Sequence, residues 1–116
     1  MTTAVPIAVY LNQARGSFLG FHDSLEPPAL HKVLTFDLGI EPGQYHGAAI
    51  PDALERVWAQ LNIDTPTTAW GRQYRAAGHR SLSVGDVLVV GETAWAVASV
   101  GFDQLSADHL ASAIVA

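Results

Sequence analysis

Arg80-Ser81-Leu82-Ser83-Val84-Gly85-Asp86-Val87-Leu88-Val89-Val90 carries the densest structural signal in this 116-residue chain, and it is echoed by Trp95-Ala96-Val97-Ala98-Ser99-Val100-Gly101-Phe102. Val87 to Val90 is a short apolar run rich in β-branched side chains, which suits a buried strand. Gly91-Glu92-Thr93 separates it from a second run, Ala94 to Val100, so the pair reads as a β-hairpin. Within the second run, Trp95, Val97 and Ser99 share one face, and Ala94, Ala96, Ala98 and Val100 share the other. The small side chains of that second face leave room for a helix or another sheet to approach closely. Gly85-Asp86 has a mechanical reading: glycine takes φ > 0 without a Cβ penalty, and aspartate bonds nearby backbone N–H groups in a turn.

Working outward, Val5, Ile7, Val9 and Leu11 alternate with Pro6, Ala8 and Tyr10 in a first strand, with Pro6 suited to an edge or to a strand's first residues. Asn12 to Leu30 reads as a loop that packs down through Phe18, Leu19, Phe21 and Leu25 and hides a turn of helix or a short strand. His31 to Leu38 reads as a second strand, with Lys32, Leu34, Phe36 and Leu38 on one face. Gly39 to Gly47 is a turn-rich connection. Pro51 sits in the first turn of a helix over 51–62, in which Leu54, Val57, Trp58 and Leu61 form one apolar stripe. Ser106 is the expected N-cap of a short C-terminal helix, with Leu105 and Leu110 at hydrophobic-staple spacing. These elements predict a single α+β domain over 1–116. It has a small, mostly antiparallel sheet of four or five strands, one packed amphipathic helix and a short C-terminal helix, with a partly closed barrel as the variant architecture.

Composition narrows the function classes. The chain is 49% hydrophobic and has no cysteine, so disulfides and thiolate metal sites are excluded. It has no basic leader and no apolar stretch of membrane-spanning length, so the expectation is a soluble cytoplasmic protein without a membrane partner. The formal charge of −5 disfavours coating of nucleic acid.

No motif carries a complete catalytic set. Ser81 and Ser83 lack the Gly-x-Ser-x-Gly elbow of a serine nucleophile. Asp86 has no acid or histidine held beside it by spacing, and no two of His22, His31, His46, His79 and His109 share a helical face. His22-Asp23 alone does not make a metal site. The expectation is no catalytic residue, no metal and no cofactor.

The segment Ala69 to Arg80 stands out because it holds Arg72, Arg75 and Arg80, half of all the bases, and no acid. These arginines alternate with Trp70, Tyr74 and His79, the residue types of interface hot spots and of nucleic-acid stacking. The candidate binding surface is therefore Trp70, Arg72, Tyr74, Arg75, His79, Arg80, Ser81 and Ser83. The competing explanation is that Trp70 and Tyr74 belong to the core and that the arginines neutralise Asp86, Asp64 or Glu55.

The stretch from Leu54 to Phe102 resembles the YodL-like domain family. The resemblance rests on the helix Leu54 to Asn62, on Gly78-His79-Arg80-Ser81-Leu82-Ser83-Val84-Gly85-Asp86-Val87 and on Ala98-Ser99-Val100-Gly101-Phe102. His79 is an extra residue within that pattern, and Ala98 stands where the pattern has aspartate. The resemblance implies a small bacterial or mobile-element accessory domain with no settled activity, cofactor or catalytic residue. The functional expectation is a non-enzymatic module that engages a protein partner through the Trp70–Arg80 surface. Its alternatives are a nucleic-acid-binding accessory protein of a mobile element or defence system, and a small hydrolase or metal enzyme using His22, Asp23, His46 or Asp86.

Overall fold

The structure is a computed structural model that describes residues 3–40 and 50–115. Five strands form one antiparallel sheet: β1 (Thr3–Asn12), β2 (Leu30–Ile40), β3 (Val87–Val90), β4 (Thr93–Val97) and β5 (Phe102–Leu105), in the order β2-β1-β3-β4-β5. The helices are α1 (Ile50–Asn62), α2 (Ala69–Ala76) and α3 (Ala107–Ala113), with a 3₁₀ turn at Ser17–Leu19. The α+β expectation holds, but the sheet is open: β2 and β5 do not pair with each other, so the partly closed barrel is not formed. The expected connection Gly39–Gly47, with Glu41 and His46, lies almost wholly outside the described residues.

The alternation in β1 sends Val5, Ile7, Val9 and Leu11 into a core beneath α1 and α2. Pro6 lies near the start of a strand that is internal to the sheet, beyond the end of the β1–β3 ladder, and its carbonyl accepts from Gly91 N at 2.9 Å. The β2 pattern breaks where sequence alternation alone predicts continuity. Val9 faces Leu34 and Tyr10 faces Lys32, so Val33 is the extra residue of a β-bulge. Directly opposed residues share a face, so Lys32 and Leu34 fall on opposite faces despite their even spacing.

On the main face, α1 buries Leu54, Val57 and Leu61 of the expected stripe, whereas Trp58 overhangs its edge and is 39% exposed. The reverse face is covered by Phe21 and α3. Ala94 and Ala96 are buried there with Leu105 and Ala113, the close approach that small side chains permit. Ser106 caps α3 by accepting from His109 N at 3.1 Å.

Two elements are additional to the sequence reading. Thr68 caps α2 by accepting from Gly71 N, and Gly71 is needed inside that helix because a Cβ would lie 2.7 Å from Thr68 Oγ1 and 2.8 Å from Pro66 Cβ. The second apolar run stops at Val97 rather than Val100, because Gly101, at φ 73°, reverses the chain into β5. Ala98 N donates to Gly101 O at 3.0 Å across that turn, which leaves Val100 at its tip, 90% exposed.

Candidate functional site

Asp86, fully buried, is the centre of a polar clasp that joins three distant parts of the chain. Its Oδ1 accepts from Asn12 N at 2.8 Å and Arg80 Nη2 at 2.8 Å, and its Oδ2 accepts from Arg80 Nη1 at 2.6 Å and Ser83 N at 2.8 Å. The guanidinium thus bridges both carboxylate oxygens, the fork geometry that makes an arginine–carboxylate pair strong. Arg80 Nη2 also donates to Asn12 O and Nη1 to Ser81 O, both at 3.1 Å. Asn12 completes the clasp: its Nδ2 donates to Gly85 O, while its Oδ1 accepts from Ala14 N and Ala29 N.

Gly85 makes this geometry accessible. Asp86 N donates to Ser83 O across a tight turn with Gly85 at φ 95° in its third position, the place that demands a positive φ. A Cβ on Gly85 would lie 2.3 Å from Ser17 O. With every oxygen of Asp86 saturated by donors and its side chain closed to solvent, the carboxylate has no free lone pair aimed at a cavity. The sequence Arg80–Asp86 is therefore a folding device in this chain, in line with the mechanical reading of Gly85-Asp86.

The Arg/aromatic segment is drawn into the same framework. Trp70 stacks on Phe36 with ring centroids 4.2 Å apart and planes 7° from parallel. Tyr74 is fully buried, and its hydroxyl donates to Arg80 O. Burial, with the Asp86 charge adding to it, pushes the Tyr74 phenol up to about 12. The Arg80 guanidinium is held above its ordinary value by its hydrogen bonds to Asp86. Arg75 Nη2 donates to Leu61 O at 3.3 Å and Ile63 O at 2.8 Å, satisfying carbonyls at the α1 C-terminus. Arg72 Nε donates to Pro66 O at 3.2 Å, and the His79 ring lies 5.1 Å from that of Tyr74. Ser81 and Ser83 are exposed on the loop that follows. That loop is anchored to α1 by a reciprocal pair: Leu82 N donates to Asn62 Oδ1 and Asn62 Nδ2 donates to Leu82 O. The structure assigns intramolecular contacts to Trp70, Arg72, Tyr74, Arg75 and Arg80, and it sets Trp70 against Phe36 of β2 while Ser83 N reaches Asp86 at the start of β3, two strands further along the sheet.

The histidines are dispersed. His22 meets His109 edge-on at 5.1 Å, where the 13–29 loop touches α3. His46 lies outside the described residues. Among the described residues, no group of three histidine, aspartate or glutamate side chains is placed to hold a metal ion.

A groove of about 500 Å³ opens between α1 and the β4–β5 turn, beside the clasp. Phe18, Trp58 and Phe102 supply its aromatic walls, Leu82 and Val97 its floor, and Glu55, Ser83 and Ser99 its polar atoms. Phe18 is 68% exposed. A smaller cleft of about 170 Å³ shares Phe18, Val84, Val97, Ala98 and Ser99 with the groove and adds His22, Asp23 and Asp103. Of the eight candidates read from sequence, only Ser83 lines this groove. The aromatic residues that build it come from a loop, a helix and a strand, and one signal for them was available: Trp58 sits at the margin of the α1 stripe. No family model, no curated protein and no solved structure matches the chain.

Proposed function

We propose that this protein is a non-enzymatic binding module that seats a segment of a protein partner in the groove between α1 and the β4–β5 turn. The supporting observation is the convergence of Phe18, Trp58 and Phe102 on one open groove that holds a single titratable side chain, Glu55. An apolar cleft with a few polar groups is the usual form of a recognition site, and tryptophan is the side chain most enriched at binding hot spots. Exposed aromatic surface of this kind is costly to leave in water. The accessory role implied by the YodL-like resemblance is in keeping with this reading. The Trp70–Arg80 segment then acts as the scaffold behind the groove, with Ser83 at the boundary between the two.

The alternatives have less to stand on. A nucleic-acid site needs cations aimed outward, whereas Arg75 and Arg80 donate to the chain's own carbonyl and carboxylate oxygens. A hydrolase using Asp86 needs a carboxylate that the clasp already saturates.

The test is selection of a random peptide-display library against the whole chain. Clones are expected whose binding is lost with Trp58→Ala or Phe18→Asp and kept with Arg72→Glu. Clones indifferent to Trp58 and Phe18, or dependent on Arg72, would overturn the assignment of this groove, as would a selection that yields no binder.

A further inference from the structure

β5 ends the sheet, and among the described residues no hydrogen bond reaches its outer edge. An antiparallel strand turns half of its backbone groups away from its single neighbour, so β5 offers a template about 13 Å long for a further strand. The two clefts adjoin at the β4–β5 turn, where they share Phe18, Val84 and the 97–99 segment, and each reaches one face of β5. Phe102 lines the aromatic groove on the α1 side, and the next residue, Asp103, lines the smaller cleft on the reverse side. A strand added to β5 alternates its side chains between the same two faces. One set enters the aromatic groove; the other meets Asp103 and Asp23.

The chemistry of the two sides differs. The groove is walled by aromatic rings with Glu55 at its margin, and the smaller cleft carries two carboxylates and one imidazole. No lysine or arginine lines either cleft. We infer, resting on the groove reading above, that the occupant is an extended basic segment of another protein. It pairs with the outer edge of β5 and alternates apolar side chains, seated against Phe18, Trp58 and Phe102, with Lys or Arg side chains facing Asp23 and Asp103. A second copy of this chain is the wrong occupant: antiparallel β5–β5 pairing across a two-fold axis brings the two Asp103 carboxylates to the same short ladder, and like charges there repel.

The test uses three fluorescein-labelled peptides in which leucine alternates with lysine, glutamate or serine, titrated into the whole chain by fluorescence anisotropy. The leucine–lysine peptide is expected to bind at least tenfold more tightly than the leucine–glutamate peptide. Trp58→Ala should abolish its binding. Asp103→Lys should weaken it much more than Asp64→Lys, which changes net charge equally but lines neither cleft. Amide exchange at Phe102 and Gln104, whose N–H groups face away from β4, should slow in the complex. Equal or tighter Trp58-dependent binding of the serine or glutamate peptide would overturn the basic-partner inference and leave the groove reading standing. Equal loss with Asp103→Lys and Asp64→Lys would reduce the effect to bulk charge and overturn it, and unchanged exchange in β5 would remove the strand pairing. Failure of all three peptides refutes the inference, while the display selection decides the groove separately. A β5-dependent dimer in sedimentation would name the second copy instead.

Discussion

Replacing Asp86 by alanine removes the acceptor of four hydrogen bonds from a site closed to water. The backbone N–H of Asn12 is left as a buried orphan donor, which costs about 1–3 kcal/mol, whereas that of Ser83, on an exposed residue, can turn to water. Arg80 is different: its side chain is 42% exposed, so the guanidinium can turn outward and recover hydration. The charge therefore adds little, and the expected loss is about 2 kcal/mol, a sizeable share of the roughly 5–15 kcal/mol of an ordinary domain. Arg80→Leu reverses the asymmetry. It strands a carboxylate that cannot reach solvent, which costs about 3–5 kcal/mol. The double variant Arg80→Leu/Asp86→Ala should then be less damaging than the two single changes added together, by about 1–3 kcal/mol of coupling. Urea unfolding followed by tryptophan fluorescence and far-UV circular dichroism reads all the variants on one scale. A loss under about 1 kcal/mol for Asp86→Ala, or an additive cycle, would refute the clasp as a stabilising unit. Asp86→Ala that leaves stability intact while abolishing a measured activity would reassign Asp86 to function.

Four further outcomes are expected. Gly85→Ala places a Cβ 2.3 Å from Ser17 O at φ 95°, so it should cost more than the roughly 1–2 kcal/mol of left-handed strain that Gly78→Ala, with no neighbour within 4 Å, incurs; equal losses in urea would show that the Ser17 loop yields freely. Tyr74 is neutral in the fold up to about pH 12 but ionises from 10.0 when unfolded, so its contribution is complete below pH 10.0 and is lost as pH rises toward 12; Tyr74→Phe should flatten that alkaline decline in a pH series of urea midpoints. Ser106→Ala removes the α3 cap at His109 N and should cost about 1 kcal/mol, measured as a shift in the urea midpoint at constant slope. Gln60→Ala frees Thr67 N and Thr68 N, which both donate to Gln60 Oε1, so α2 should lose amide-exchange protection before the sheet does.

The legible parts of the chain are those where one short-range pattern decides the structure. The α1 stripe, the β3–β4 hairpin and the Ser106 cap each lie within a dozen residues, and each forms, with the second hairpin strand ending at Val97 and Trp58 at the edge of the stripe. α2 escapes because its sequence, AWGRQYRA, mixes a glycine with polar residues; its identity depends on a cap at Thr68 and on Tyr74 reaching the core. β5 escapes because Asp103 and Gln104 interrupt any apolar run, and its place is set by the turn at Gly101. The Val33 bulge has no local signature and shows only in the pairing of β1 with β2. The candidate site is illegible for the same reason on a larger scale. Phe18 sits in a loop without periodicity, and its approach to Trp58 and Phe102 is a product of tertiary structure.

The same distinction separates the Arg80–Asp86 segment from the groove beside it. Here each of its residues with a determinate role acts within the fold: Arg80 and Asp86 pair, Leu82 docks on Asn62, Ser83 N closes the carboxylate and Gly85 supplies the positive φ. The partner residue Asn12 lies 74 positions from Asp86, so the clasp ties β1 to the entry of β3. That contact spans the centre of the sheet order β2-β1-β3-β4-β5. The pattern therefore joins two neighbouring central strands and leaves the chemistry of the groove beside it to other residues. On the proposed groove reading, specificity is set by residues outside the pattern: Phe18, Glu55, Trp58, Phe102 and Asp103 make none of the clasp's hydrogen bonds. Exchanging those five while keeping Arg80, Gly85 and Asp86 should alter which peptides are selected with little change in the urea midpoint. The reverse exchange should unfold the domain before it alters specificity.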